Sequence, residues 1–200
     1  MVKIAVSLYR CQALACSPLF ALGVAACQNS YYGGITREPV YSPAEFQYAA
    51  GGKPLHTAIH GNPFGLPSEQ VAAAILAAMQ AAGSSFDTAL VRPPHFTLAV
   101  GARPNYAVRV VLNPADSLQA DQICSPEGEI EEDGTARSEA RVRMAFCRGP
   151  YLLSTSYGRI RGVGDPADPR FQRLIHDLTR ELFPHREYRG GDASFLGHTR

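Results

Sequence analysis

Tryptophan is absent from this 200-residue sequence, and methionine and cysteine are scarce, with three and five copies. A long hydrophobic run is also missing. The N-terminal apolar tract, residues 11–26, has 16 residues and is interrupted by Pro18, whereas a membrane-spanning helix requires roughly 20. Charge of neither sign is in excess, since 19 basic and 18 acidic residues leave a net charge of +1. A chain this close to neutral argues against nucleic acid as its main partner.

The familiar catalytic motifs are missing too, because the sequence contains no G-x-S-x-G, no H-E-x-x-H and no papain-like cysteine motif. The acidic residues concentrate between positions 127 and 133, in a stretch typical of a solvated loop rather than of a preorganised acid/base pair. We therefore predict no catalytic residues and no cofactor. An enzyme whose active site is assembled from distant residues is the alternative.

Two short patterns are typical of ligand sites but stand in the wrong context. His56 and His60 are four residues apart, a spacing that lets two imidazoles share a metal ion on a helix. Their local sequence, LHTAIH, favours a strand, in which four residues span about 13 Å, so we predict no metal site. The stretch GVGDPA, residues 162–167, matches G-x-G-x-x-A, but no second βαβ strand follows it. It is predicted to be a turn rather than a nucleotide site.

What the N-terminus does contain is the pattern of a bacterial export signal. Lys3 and Arg10 form a basic region ahead of the apolar tract, which is the architecture of a signal peptide. A globular domain follows, because 200 residues with 46% hydrophobic content suffice for one ordinary core. We predict four segments: residues 1–26 as signal peptide, 27–43 as tether, 44–184 as a single domain, and 185–200 as an irregular tail.

The end of the signal segment carries a possible attachment point for lipid. Val24, Ala25, Ala26 and Cys27 resemble a bacterial lipobox, in which the cysteine becomes acylated and N-terminal. The resemblance implies a membrane anchor through Cys27, and Gln28 in place of aspartate favours the outer membrane, facing the periplasm. Acyl chains bury CH₂ groups at about 0.8 kcal/mol each, so several chains give stable anchoring. The alternatives are a plain secretory signal that releases a soluble domain, or a buried free cysteine.

The mature sequence predicts strands and helices in a mixed order. Six stretches are predicted as strands, grouped in three hairpins. The first hairpin pairs EFQYAA with LHTAIH, the second pairs HFTLAV with YAVRVVLNP, and the third pairs EARVRMAFC with YLLSTSYGRIRG. A helix is predicted from Ser68, as N-cap, to Gly83, and another after Asp168, with Pro169 at its first position. The fold class is therefore α+β, a two-layer sandwich of a mainly antiparallel sheet of four to six strands with two helices on one face.

Three groups of side chains are candidates for structural or binding roles. Cys124 and Cys147 are the cysteines left after export and lipidation, and an even pair in an oxidising compartment predicts a disulfide, the alternative being two buried thiols. Phe64, in GNPFGLP, is either an exposed anchor for a partner or tucked under its own loop. A basic face for anionic lipid or a partner could be formed by Arg141, Arg143, Arg148, Arg159 and Arg161, unless they are only the solvent side of a sheet.

The lipobox, GNPFG before an alanine-rich helix, VRVVLNP, AFCRG and the last helix together resemble a group of small alphaproteobacterial lipoproteins of unknown function. The resemblance covers most of the mature chain and implies a location in the cell envelope, with no established activity. Our leading hypothesis is a lipid-anchored envelope lipoprotein with a non-catalytic binding or structural role at the membrane surface. Its expected partners are the membrane and another envelope protein or anionic lipid. A periplasmic enzyme and a soluble secreted domain are the alternatives.

Overall fold

The computed structural model describes residues 30–32, 36–37, 41–86, 92–125, 130 and 139–183. Cys27, the other residues of the predicted lipobox and the predicted tail, residues 185–200, lie outside the described residues. The elements follow in the order β1 (Ser30–Tyr32), β2 (Thr36–Arg37), α1 (Pro43–Ala50), β3 (Pro54–His60), α2 (Ser68–Ser84), β4 (His95–Thr97), β5 (Tyr106–Leu112), β6 (Glu139–Arg148), β7 (Tyr151–Arg161) and α3 (Pro169–Leu182). The predicted α+β class is confirmed.

The strands form one mixed sheet in the order β1-β7-β6-β5-β3-β4, and β2 also pairs with β7. Strands β5, β6 and β7 pair antiparallel, whereas β3 pairs parallel with both β4 and β5. The sheet is therefore not antiparallel throughout. The segment predicted as a tether also contributes to it, since β1 and β2 both lie antiparallel along the edge of β7.

The first predicted strand, EFQYAA, is wrong, because these residues belong to helix α1. The Ser42 side chain accepts a hydrogen bond from the Glu45 N–H, and Pro43 occupies the first turn, an arrangement that caps a helix N-terminus. Phe46, Ala49 and Ala50 are the buried residues of this helix, and their i, i+3, i+4 spacing places them on one face. The predicted hairpin of EFQYAA with LHTAIH is therefore not formed.

The second predicted hairpin is wrong as well, because β4 and β5 are not neighbours. Strand β3 lies between them and pairs with both. The chain leaves β3, passes through helix α2 and returns as β4 in the same direction, and this kind of crossover is what a parallel pair requires. The sequence shows two strand-like stretches separated by a turn, and the position of β3 decides that they do not pair with each other.

The two longer helices occupy nearly the predicted ranges but differ in how they begin. Helix α3 starts as expected, with the Asp168 side chain accepting from the Arg170 N–H and Pro169 in the first turn. Helix α2 does not use Ser68 as its N-cap, because Pro67 holds that position and provides no side-chain hydrogen bond. Gln172 Nε2 donates to the carbonyl of Ala74, so the two helices pack together near their N-terminal ends.

Two separate clusters of buried residues lie on the two faces of the sheet. The cluster on the helix face joins all three helices to β5, β6 and β7, and it includes the aromatic group Phe46, Phe86, Phe96, Phe146 and Phe183. The cluster on the disulfide face is smaller and contains Val111, Leu118, Ile123, Cys124, Ala145 and Cys147. The segment after β5, residues 113–125, supplies its cover.

Candidate functional site

The predicted disulfide is present on the disulfide face. Cys124 and Cys147 are bonded, with their Cα atoms 5.6 Å apart, within the usual range for such bonds. Cys147 belongs to β6, and Cys124 ends a single 3-10 turn, Gln122–Cys124. The bond therefore fastens the segment after β5 to the middle of the sheet.

Two of the predicted basic residues, Arg141 and Arg143, also hold this covering segment. Arg141 is buried, and its guanidinium donates to the Asp116 carboxylate. The guanidinium of Arg143 donates to the carbonyl of Leu118 and lies 5.5 Å from the ring centre of Tyr157. These side chains stabilise a loop instead of offering a basic face to a partner.

Arg109 has the same role, and the sequence analysis did not single it out. Its Nη1 donates to the carbonyls of Ile123 and Ser125, at 3.0 and 3.3 Å. Because Arg109 alternates with the buried Val108 and Val110 on β5, the pattern VRVV contains the signal that its side chain lies on the other face. Its partners, however, are backbone atoms that the sequence cannot indicate.

The remaining predicted arginines occur at opposite ends of the sheet. Arg159 and Arg161, near the end of β7, each have Nε 3.5 Å from Oε1 of Glu139, and the Arg161 side chain is 65% exposed. Arg148, at the end of β6, pairs instead with Glu45 of helix α1 on the helix face. Side chains alternate faces along β6, so Arg148 lies on the face opposite Arg141 and Arg143, and the five arginines do not form one basic face.

The candidate binding site is a surface that we call the aromatic end, formed by Tyr48, Arg103, Tyr106, Arg148 and Tyr151. Tyr106, Arg148 and Tyr151 are cross-strand partners at the ends of β5, β6 and β7. Neighbouring strands lie about 4.8 Å apart, so these three residues form a row about 10 Å wide. Tyr48 of helix α1 adds its ring 6.0 Å from that of Tyr106, and the Arg103 guanidinium lies 4.4 Å above the Tyr48 ring.

A shared carboxylate links two side chains of this surface. Glu45 Oε1 accepts both from the Tyr106 hydroxyl, at 2.7 Å, and from Nη1 of Arg148, at 2.9 Å. Burial, followed by the interaction with Glu45, raises the pKa of Tyr106, and the hydrogen bond that Arg148 donates to Glu45 raises the pKa of Arg148. The phenol and the guanidinium therefore keep their protons at neutral pH. The arrangement provides donors and aromatic surface, not a nucleophile or a general base.

The outer rings of the aromatic end are solvent-exposed. Tyr48 is 52% exposed and Tyr151 is 65% exposed. Tyrosine and arginine are enriched among the residues that contribute most to protein–protein binding, because each combines a large contact area with hydrogen bonding. The sequence analysis missed this surface, since its residues come from three separate stretches of the chain, at position 48, at 103–106 and at 148–151.

A second concave feature is a groove of about 570 Å³ between β3 and the start of helix α2. It lies where β4 pairs only with the first three residues of β3, so residues 57–60 have no described strand on that side. His56 and Glu69 both line it. His56 Nδ1 lies 3.0 Å from the carbonyl of Ala99; a carbonyl only accepts, so Nδ1 carries a proton.

The other sequence candidates have structural roles. Phe64 packs edge-on against Phe171 of helix α3, with ring centres 5.1 Å apart, and is partly buried against the core. In GVGDPA, Asp165 Oδ1 accepts from the Ala167 N–H, which makes this stretch a turn between β7 and α3. Strand β7 before it is antiparallel to its neighbours, unlike the strand of a dinucleotide site. Within the described ranges, no group of three or more potential ligands is placed to hold a metal ion.

Comparisons with known proteins add little beyond these observations. No family model matches the chain, and no curated protein matches it. Solved structures that resemble it include two crystal forms of the PelC dodecamer from Paraburkholderia phytofirmans, one of them a point variant. Each has 12% sequence identity, covers 79% of this chain and 99% of its own, and has a TM-score of 0.38. In the part of the chain that the structure describes, none of the helices has the length and hydropathy to cross a bilayer.

Proposed function

We propose that the protein is a lipid-anchored lipoprotein of the bacterial cell envelope that binds another envelope protein through its aromatic end. The role is non-catalytic, and the outer membrane, facing the periplasm, is the proposed location. The observation that carries the binding role is the exposed pair Tyr48 and Tyr151 flanking the Glu45-centred hydrogen bonds.

Export is supported by the disulfide. Cys124 and Cys147 are buried and bonded to each other. Structural disulfides of this kind persist in oxidising compartments. The basic and apolar start of the sequence and the resemblance to a lipobox at Cys27 point to the same location. A lipid anchor would restrict the domain to the membrane surface and so raise its effective concentration for partners there.

Binding is supported by how little the aromatic end must change on association. Tyr106 and Arg148 are already held by Glu45, and Arg103 already stacks on Tyr48. Side chains that are fixed before binding lose less conformational entropy when a partner arrives. A partner surface rich in hydrogen-bond acceptors and flat apolar area fits these donors and rings.

The anchor is tested by the intact mass of the protein recovered from membrane and soluble fractions, with Cys27→Ser alongside. We expect a chain that starts at Cys27 with added acyl mass in the membrane fraction, and loss of membrane retention in the variant. A soluble chain cleaved elsewhere without added mass would contradict the anchor and favour a soluble secreted domain.

The binding surface is tested by photo-crosslinking in cells. A benzophenone amino acid at Tyr48 or Tyr151 should give a discrete crosslinked protein band. The same probe at Arg173, an exposed position on helix α3 at the opposite end of the sheet, serves as the matched control. Equal crosslinking from all three positions, or none from Tyr48 and Tyr151, would contradict a partner at the aromatic end.

The groove beside β3 favours a second candidate function, a periplasmic enzyme with an unrecognised active site. Its specific support is that His56 and Glu69 line the same concave space. A two-dimensional ¹H–¹⁵N spectrum titrated with the small-molecule fraction of a periplasmic extract tests it. Shifts confined to residues 56–59 that disappear in His56→Ala would favour this candidate, and their absence would leave the groove without a ligand.

A further inference from the structure

We propose that the turn from Arg161 to Arg170, where β7 ends and helix α3 begins, is the surface of the domain that faces the lipid headgroups. The proposal rests on the proposed lipid anchor at Cys27. It adds an orientation: one end of the sheet lies against the membrane, and the aromatic end points away from it.

The first step of the argument is the register of β1. This strand runs antiparallel to β7, with Ser30 opposite Ile160 and Tyr32 opposite Gly158. Ser30, the first residue of β1, therefore lies beside the C-terminal end of β7, and Tyr32 lies closer to the middle of β7. Ser30, the first residue of the described part of the chain, thus lies at the end of the sheet where Arg161 and Gly162 lie.

The second step is the length of chain between the sheet and the anchor. Cys27 precedes Ser30 by only three residues. A fully extended chain spans at most about 3.3–3.6 Å per residue, so three residues allow at most about 11 Å between the proposed anchor at Cys27 and Ser30. A tether of 17 residues, as the sequence alone predicts, would have let the domain turn freely. Because β1 is part of the sheet, only a short connection is left.

The third step is the surface chemistry of this end. Arg161 is 65% exposed, and the carboxylate of Glu139 is shared between Arg159 and Arg161. Because Arg161 shares the Glu139 carboxylate with Arg159, its guanidinium can also donate to a lipid phosphate. The planar guanidinium matches the geometry of a phosphate group well.

The turn as a whole is not strongly basic. Asp168 pairs with Arg170, and Asp165 adds another carboxylate. The anchor, not net charge, is therefore what holds this end at the membrane, and the arginines contribute local contacts with headgroups.

The fourth step is the distance to the opposite end. Strand β7 runs for 11 residues from Tyr151 to Arg161, and a strand rises about 3.3 Å per residue. The two ends are therefore separated by about 33 Å. With the turn at the headgroups, the aromatic end lies about 30 Å from the bilayer, where it can meet a partner.

The absence of tryptophan makes this orientation directly measurable. We would introduce one tryptophan at a time, as Gly164→Trp in the turn and Tyr151→Trp at the aromatic end, in the full lipidated protein. Each variant is reconstituted into vesicles of phosphatidylethanolamine and phosphatidylglycerol containing phosphatidylcholine with a nitroxide on its headgroup. Gly164 suits the substitution because no heavy atom lies within 4 Å of a Cβ added there.

We expect the nitroxide lipid to quench the fluorescence of Gly164→Trp at least twofold more than that of Tyr151→Trp. Arg161→Trp, at a second exposed position of the turn, should behave like Gly164→Trp and guards against a folding defect in one variant. Equal quenching at both ends, or stronger quenching of Tyr151→Trp, would overturn the orientation. Intact mass of the same preparations separates the two proposals. Acylated protein with equal quenching overturns only the orientation, whereas unacylated protein removes the anchor and the orientation with it.

Discussion

The two faces of the sheet bury their residues by different physical means. On the helix face, three helices pack aromatic and aliphatic side chains against the sheet. The ring of Phe183 lies at the centre and contacts four other rings, those of Phe46, Phe86, Phe96 and Phe146. On the disulfide face, an irregular segment is held by one covalent bond and by arginine side chains that donate to its backbone. The first face depends on shape and apolar area, and the second on a few specific bonds.

This contrast explains why the disulfide face needs cross-links. An irregular segment leaves backbone carbonyls that no helix or strand satisfies, and a buried unsatisfied carbonyl is costly. Arg109 and Arg143 supply donors to three of these carbonyls. Helices satisfy most of their own backbone groups, and on the helix face the hydroxyls of Ser154 and Ser156 donate to the carbonyls of Leu182 and Leu178 at the end of α3.

The largest effect should come from removing the central aromatic side chain of the helix face. Phe183→Ala should lower the free energy of unfolding by about 3–5 kcal/mol, because truncating a buried phenylalanine removes its contacts and leaves a cavity. Urea unfolding followed by circular dichroism measures this change. Tyr151→Ala, at a mostly exposed ring, is the matched control and should cost less than about 1 kcal/mol. A similar loss in both variants would contradict the central role of Phe183.

Breaking the disulfide should have the next largest effect. The bond joins residues 23 positions apart, and chain-entropy arguments assign such a loop about 3 kcal/mol. The double variant Cys124→Ser with Cys147→Ser should therefore lose roughly this stability. Amide hydrogen exchange should increase most in residues 113–125. Uniform acceleration across helices α2 and α3 would show that the two faces do not behave as separate units.

Removing one of the arginine donors should cost less than removing the covalent bond. Arg109→Gln shortens the side chain and loses the charge, leaving the carbonyls of Ile123 and Ser125 without their donor. Hydrogen bonds to charged groups contribute about 1.5–3 kcal/mol, so we expect a loss of about 2 kcal/mol in the free energy of unfolding. Arg173→Gln, at an exposed helical position, is the control. No difference between the two variants would rule out this structural role of Arg109.

The smallest effect, and a stabilising one, is expected at Glu181 on helix α3. Burial, followed by the nearby Asp177, raises the pKa of Glu181 in the folded state. The folded protein therefore binds this proton more tightly than the unfolded chain, and stability declines as pH rises from the unfolded value of about 4.3 through the folded pKa.

Glu181→Gln removes this penalty, and partial solvation limits the gain at pH 7 to about 0.5 kcal/mol. The thermal midpoint should rise slightly at pH 7 and match that of the wild type at about pH 3, where Glu181 is protonated in both states. Asp177→Asn should give a smaller rise, because the burial penalty at Glu181 remains. A variant less stable than the wild type at pH 7 would contradict this assignment.

Elements with strong local signals were predictable. Helix α3 has a capping aspartate, a proline in its first turn and apolar residues at helical spacing, and the hairpin of β6 and β7 has alternating residues around a short turn. Helix α1 was missed because EFQYAA is too short to show a helical period without its Ser42 cap. The candidate site was missed because Tyr48, Tyr106 and Tyr151 become neighbours only through α1 and the order of strands.

The sequence by itself determined the fold class, the last helix, the last hairpin and the cysteines that pair, because each depends on local periodicity or on a small number of possible partners. Only the tertiary structure decided that β3 lies between β4 and β5, which face each arginine occupies, and that β1 joins β7 instead of forming a tether. These outcomes depend on contacts between residues far apart in the chain. Their energies are set by burial and by backbone hydrogen bonds that no short stretch of sequence contains.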